Sequence, residues 1–193
     1  MHKLILASKS KVRMEILKKN NIKFVAEPSN IDEEEIKKSL LKEGATPEMI
    51  SKSLAEIKAN KISQTKLENI VIGADSVIDL NGEIISKPNS RNSAMEILKK
   101  LNGKKHNLIS SVCISKAGSM IWSHSEKASL TMKNFSHEEL EIYLSKIPDD
   151  LLFAYNVYQI EGEGKNLFLK IEGDINTIMG LPIKSIKEYL KNL

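Results

Sequence analysis

Asp75 stands in Val71-Ile72-Gly73-Ala74-Asp75-Ser76-Val77, a carboxylate inside an apolar, strand-like run. An ionised carboxylate among apolar neighbours is costly unless it is paired or holds a metal. Gly73 and Ala74 are small, which predicts open space for a ligand beside it; a solvent-facing residue near a sheet edge reads the same way. The turn Ala7-Ser8-Lys9-Ser10-Lys11-Val12-Arg13 is the second candidate. There a strand gives way to two hydroxyls and then to a helix whose first N–H groups point outward, a place that attracts anions. Arg13, in the first turn, is within reach of a phosphate, although an ordinary helix cap with a surface arginine fits the same residues. The glycine-rich loop GxxxxGK[ST] is absent.

Ser86-Lys87-Pro88 follows the hairpin signal Asn81-Gly82. A two-residue turn would pair Leu80 with Glu83 and set Lys87 against Ser76, on the other face from Asp75. A three-residue loop over Leu80-Asn81-Gly82 would set Lys87 against Asp75. The three-residue loop is the expectation, because it joins a lysine to a carboxylate on one face. Glu33 in Asp32-Glu33-Glu34-Glu35 and Lys58 in Leu54-Ala55-Glu56-Ile57-Lys58-Ala59 complete the candidates. Each alone is bland, since an acidic helix start and a helical lysine are usually solvated.

Composition removes several other chemistries. The 193 residues are 41% hydrophobic and 28% charged, which suits one medium domain or two small lobes sharing a core. The net charge of +4 comes almost wholly from lysine, with Arg13 and Arg91 the two arginines, and aromatics are 5%. Nucleic-acid interfaces lean on arginine forks and stacked aromatics, so that function is not expected. One cysteine, Cys113, allows no internal disulfide and no CxxC zinc site; it reads as core, in a reduced, cytoplasmic setting. His2, His106, His124 and His137 lack HxxxH or HxH spacing, and no GxSxG elbow is present. No apolar run approaches the ~20 residues of a membrane span, and the run after Met1-His2-Lys3 is too short for a signal peptide.

The elements that must position these groups are readable in outline. A strand over 3–7 leads to a helix over 11–20 capped by Ser10. A short strand over 22–25, a helix ending near Lys42, and a helix from Thr46-Pro47 to about Ile62 follow. Strand 69–80 returns through 83–86, and an amphipathic helix over 93–101 stops at Gly103. A long hairpin runs over 108–115 and 121–132 around Ala117-Gly118. Ser136-His137-Glu138-Glu139 is a capping box, opening a helix that ends before Pro148. Strand 167–171 and a closing helix over 182–190, with Ile183, Ile186 and Leu190 inward, finish the chain. Helices interleaved with consecutive hairpins indicate an α/β protein with a mixed sheet.

Leu6-Ala7-Ser8-Lys9-Ser10 with Arg13, Asp32-Glu33, Lys58-Ala59, Gly73-Ala74-Asp75-Ser76, Lys87-Pro88, Leu98 to Gly103 with His106, and Gly180-Leu181-Pro182 occur in one order. In order and spacing they resemble the Maf-type nucleoside triphosphate pyrophosphatases, over nearly the whole chain. The resemblance implies an elongated, inosine-triphosphatase-like α/β fold over 1–193, two lobes sharing one helix-flanked mixed sheet around a central cleft. It implies hydrolysis of noncanonical or pyrimidine nucleotides, such as dTTP and UTP, to the monophosphate and pyrophosphate with Mg²⁺ or Mn²⁺. Family members are cytoplasmic, often homodimeric, and associated with removing modified nucleotides and with arrest of cell division. By the same resemblance Ser8, Arg13, Lys58 and Lys87 bind the substrate, Glu33 and Asp75 hold the metal, and Asp75 accepts the proton of the attacking water. Val12 replaces the first of the family's arginine pair. In the run Ala154 to Gly162, Ala154 replaces a lysine and Glu161 a glutamine; Glu161 would meet an N–H of the base or assist the metal. These departures leave a second reading, a non-catalytic nucleotide-binding regulator of cell division.

Overall fold

The computed structural model describes residues 3–154 and 156–193. Among the described residues seven strands form one mixed sheet: β1 (Leu4–Leu6), β2 (Val25–Ala26), β3 (Ile70–Leu80), β4 (Glu83–Ile85), β5 (Lys105–Lys116), β6 (Ser119–Met132) and β7 (Phe168–Glu172). Their order is β2-β1-β3-β5-β6-β7, with β4 on β3. The strands β2, β1 and β3 are parallel, whereas β3 with β4 and β6 with β7 are antiparallel, so the α/β class and the mixed sheet are as expected. The helices are α1 (Lys11–Lys19), α2 (Glu33–Lys42), α3 (Pro47–Ser63), α4 (Arg91–Leu101), α5 (His137–Ser145), α6 (Asp149–Ala154), α7 (Ile175–Ile178) and α8 (Ile183–Lys191). Among the described residues no helix is long and apolar enough to cross a membrane.

The chain divides into two compact units. One comprises the residues up to Val77, Ile109–Lys127 and Asp174–Leu193. Its interior includes a cluster of Ile5, Ala7, Ala55, Ala59, Ile62, Val71 and Cys113, so the cysteine is packed as a small hydrophobe. Ser10 caps α1 by accepting from the Arg13 N–H, Asp32 caps α2 and Thr46 caps α3, with Pro47 at its start. α2 buries none of its residues fully, and its first turn is tied to α3 by an ion pair described below.

The second unit comprises Ile78–Leu108 and Ala128–Gly173. Its hairpin pairs Ile78 with Ile85, Asp79 with Ile84 and Leu80 with Glu83, which overturns the three-residue loop expected from the sequence. Asn81 and Gly82 both take positive φ, 54° and 90°. That is the two-residue primed turn whose twist matches the strands, and the Gly82 N–H is held by the Asp79 side chain at 2.7 Å. α4 starts two residues before the expected position, at a capping box between Ser90 and Ser93. Arg91 then donates to Leu144 O and Ile147 O, each at 2.8 Å, and pairs with Asp149, binding the end of α5 to the start of α6. His106 is 1% exposed, in contact with the rings of Tyr158 and Phe168, and its Nε2 lies 2.9 Å from the Tyr158 hydroxyl.

Candidate active site

The site begins where β1 ends. The Ala7 N–H donates to Ile72 O at 2.8 Å, after which the chain turns away through Ser8 into α1 while β3 continues. Carbonyls two residues apart on a strand face the same edge, so Ala74 O points at a place where no β1 residue remains. Arg13 fills it. Its Nη1 donates to Ala74 O and its Nε to Gly180 O, both at 2.9 Å, with longer contacts to Ser8 Oγ (3.4 Å) and Ser76 Oγ (3.3 Å). Gly180 has φ +96°, and a Cβ there would lie 3.0 Å from Ser76 Oγ, so a side chain would be strained and would crowd the guanidinium. Burial lowers the Arg13 pKa, against the opposing pull of Asp75 and Glu33. Ser8 is buried, and its oxygen also accepts from the Ser10 N–H at 3.2 Å.

Asp75 lies one residue beyond Ala74, on the other face of the strand from Ser76. α3 crosses that face in backbone contact, because a Cβ on Gly73 would meet Ala55 O at 2.1 Å and Ala59 N at 2.6 Å. The open space expected beside Gly73 is therefore occupied by α3: the glycine admits a helix, not a ligand. The close approach delivers Lys58 to Asp75, with Nζ 2.7 Å from Oδ1. The lysine is 5% and the aspartate 4% exposed. Ser51, one further α3 residue, donates to Asp75 O at 3.1 Å.

Glu33 meets the same lysine from the first turn of α2, with Oε1 3.0 Å from Nζ and a side chain 42% exposed. Burial raises the Glu33 pKa, but Lys58, with Lys37 and Arg13, pulls it below the ordinary glutamate value. Asp75 moves the other way. Its burial raises it above the ordinary aspartate value, although Lys58 and Arg13 oppose the rise, and Glu33 adds to it. Asp75 Oδ2 is buried without a hydrogen-bond partner among the described residues, an orphan acceptor of the kind that calls for a proton, a water or a cation. No group of three or more His, Cys, Asp or Glu among the described residues forms a metal cage. Two carboxylates around one cluster, one with an unused oxygen, nonetheless suit a hard cation that takes its remaining ligands from phosphate and water.

Ser8, Arg13, Glu33, Lys58 and Asp75 thus come together within the first unit. Lys87 and Glu161 belong to the second. Lys87 is exposed beyond the end of β4, and the two-residue turn removes the pairing that would have set it opposite Asp75. Glu161 is exposed and accepts from the Gln159 side chain at 3.3 Å. In the run Ala154 to Gly162, Tyr155 lies outside the described residues, as does His2. Sequence reasoning assigned no role to Ser76, Ser110 or Gly180, which surround Arg13 directly or at one remove; a pair of serines inside the apolar run Leu108 to Ile114 is the one signal that could have drawn attention to Ser110.

The model of the Maf-like protein family matches residues 3–193. The chain belongs to the Maf-like family. It is 70% identical to a nucleoside triphosphate pyrophosphatase of Pelagibacter ubique, over 97% of this chain and 96% of that one. It is 41% identical to a nucleoside triphosphate pyrophosphatase of Caulobacter vibrioides (96% and 93%) and 39% identical to a 7-methyl-GTP pyrophosphatase of Brucella abortus (98% and 95%). Among solved structures, it aligns with a dITP/XTP pyrophosphatase of Mycobacterium abscessus at TM-score 0.47 and 14% identity, over 98% and 93% of the two chains, a distant likeness. Membership in the Maf-like family makes the protein a hydrolase acting on nucleotide anhydrides.

Proposed function

We propose that this Maf-like protein hydrolyses a nucleoside triphosphate between its α- and β-phosphates, releasing the nucleoside monophosphate and pyrophosphate. The observation that carries the reading is the orphaned Oδ2 of buried Asp75, next to an ammonium and near a fixed guanidinium. In the reaction, water oxygen bonds to the α-phosphorus and the α–β bridging P–O bond breaks. Pyrophosphate leaves with the electron pair, and the water proton passes to Asp75. A carboxylate whose pKa is raised toward neutrality is a better proton acceptor than an ordinary aspartate. The positive charges of Arg13 and Lys58 are preorganised to stabilise the negative charge that develops on the phosphates, with Ser8 as a neutral donor.

Glu33 and Asp75 are the residues that would hold Mg²⁺ or Mn²⁺. A bound divalent cation supplies Lewis-acid stabilisation of the phosphoryl oxygens. Lys87 and Glu161 keep substrate-binding roles on the family resemblance alone. Pyrophosphate release from dTTP, UTP and 7-methyl-GTP, measured with Mg²⁺ and with Mn²⁺, tests the reading. The resemblance motivates the pyrimidines, and the Brucella relative's name motivates the third. Release from at least one is the expected result. Nucleotide binding without release from any would support the non-catalytic regulator instead.

A further inference from the structure

Arg13 is one member of a closed hydrogen-bonded ring whose proton directions can be worked out. Ser110 Oγ donates to Thr177 O at 2.7 Å. A hydroxyl has one proton, so in the 2.8 Å contact between Ser76 Oγ and Ser110 Oγ the donor must be Ser76. Ser76 then faces Arg13 with lone pairs only, and Arg13 Nη2 donates into them. On the other side Arg13 Nε donates to Gly180 O, and the Gly180 N–H returns to Thr177 O at 3.0 Å. The ring therefore runs from Arg13 through Ser76 and Ser110 to Thr177, and back through Gly180. Thr177 is tethered in turn by its hydroxyl, which donates to Glu126. Ser110 and Thr177 are 0% exposed, so water does not compete for the bond between them, while Ser76 and Arg13 are half-buried.

We infer that Ser110, acting through Ser76, is a positioning residue that sets the orientation of the Arg13 guanidinium for the phosphate of the substrate. The inference rests on the pyrophosphatase reading above. It follows from the one-way proton order. When Ser110 loses its hydroxyl, Ser76 loses its acceptor and its proton is free to turn, so the lone pair aimed at Arg13 Nη2 is no longer fixed. Thr177 O keeps the Gly180 N–H, so the loop around Gly180 is not left unsatisfied. The effect is confined to the arm that ends on the guanidinium. Misplacing a charged group by a fraction of an ångström is enough to slow a preorganised reaction.

The test is a double-mutant cycle on kcat/KM for pyrophosphate release, using Ser110→Ala, Arg13→Lys and the double variant. Lysine keeps the charge but cannot take the forked set of partners. Ser110→Ala alone is expected to lower kcat/KM by roughly 10-fold, with the melting temperature within a few degrees of wild type. In the Arg13→Lys background the same change should cost less than about 2-fold. Should Arg13→Lys prove too unstable to assay, Ser76→Ala replaces it, and its effect must not add to that of Ser110→Ala. A Ser110→Ala enzyme as active as wild type, or one with an equal loss in both backgrounds, overturns the inference. A wild-type protein that releases pyrophosphate from no triphosphate would instead overturn the reading on which it rests.

Discussion

Gly73 sets the reach of Lys58. The carbonyl of Ala55 lies 2.1 Å from the place a Cβ on residue 73 would occupy, so the helix carrying Lys58 rests on the strand carrying Asp75, and the 2.7 Å ion pair follows from that contact. Gly73→Ala must push α3 outward by enough to seat a methyl group against backbone atoms that cannot rotate away. Overpacking of this kind costs about 1–3 kcal/mol, and it lengthens the Lys58–Asp75 contact. Denaturant unfolding should show a loss of at least about 1 kcal/mol, and pyrophosphate release should fall with it. Unchanged stability would mean that α3 is not pinned at this glycine.

Lys58 is a single buried cation shared by Asp75 and Glu33. Lys58→Met removes it and leaves Asp75 buried beside a second carboxylate. Breaking one side of a buried ion pair typically costs about 3–5 kcal/mol. The Asp75 pKa, already raised by burial, loses its largest opposing influence and rises further. A group whose folded pKa is raised destabilises the fold when it is ionised, and the penalty fades as pH falls through that pKa. Chemical unfolding of the variant should therefore show a large deficit at pH 7 that narrows in acid. A deficit that grew on acidification would contradict the assignment of Asp75 as the strained partner.

Much of the fold was legible because its signals are local. Ser10, Thr46-Pro47 and the Ser136–Glu139 box sit where their capping chemistry requires, since a cap is settled within four residues. The hairpin at Asn81-Gly82 was legible, but its loop length was not read correctly. A three-residue loop would pair Lys87 with Asp75, whereas Asn-Gly chemistry favours the two-residue turn that is present. The six residues of α6 and the four of α7 are too short to show a helical period. At the site, Asp75, Lys58 and Arg13 could be picked out by residue type. What Arg13 holds could not, because Ala74 O and Gly180 O are backbone acceptors that any residue carries. Gly73 was ambiguous for a similar reason: a glycine in a strand admits a ligand or another backbone, and the three-dimensional packing decides which.

Asp75→Asn separates catalysis from folding. The asparagine oxygen can still accept from Lys58, and Lys58 retains Glu33, so the variant should fold with a circular dichroism spectrum like that of wild type. Its amide cannot take a proton from water. Loss of a general base typically costs 10²–10⁴-fold, so pyrophosphate release should fall by at least about 10²-fold in a folded protein. Full turnover in the variant would end the assignment of Asp75 as proton acceptor.

His106 gives the second unit its own dependence on pH. It is buried among apolar neighbours, with Nδ1 lacking a hydrogen-bond partner among the described residues, and burial lowers its pKa from 6.5 to about 4. The unfolded chain takes up a proton on this ring near pH 6.5, while the folded protein refuses it until about pH 4. Between those values the unfolded state binds more protons, so stability rises with pH there and is lost as pH falls. The full effect is on the order of 3 kcal/mol, present above pH 6.5 and gone below pH 4. His106→Gln keeps a polar partner for the Tyr158 hydroxyl but has no titrating proton. Its unfolding free energy, followed by urea titration from pH 7 to pH 4.5, should therefore be flatter than that of wild type by about 2–3 kcal/mol. Parallel pH profiles for the two proteins would show that the buried imidazole is not what makes this protein acid-sensitive.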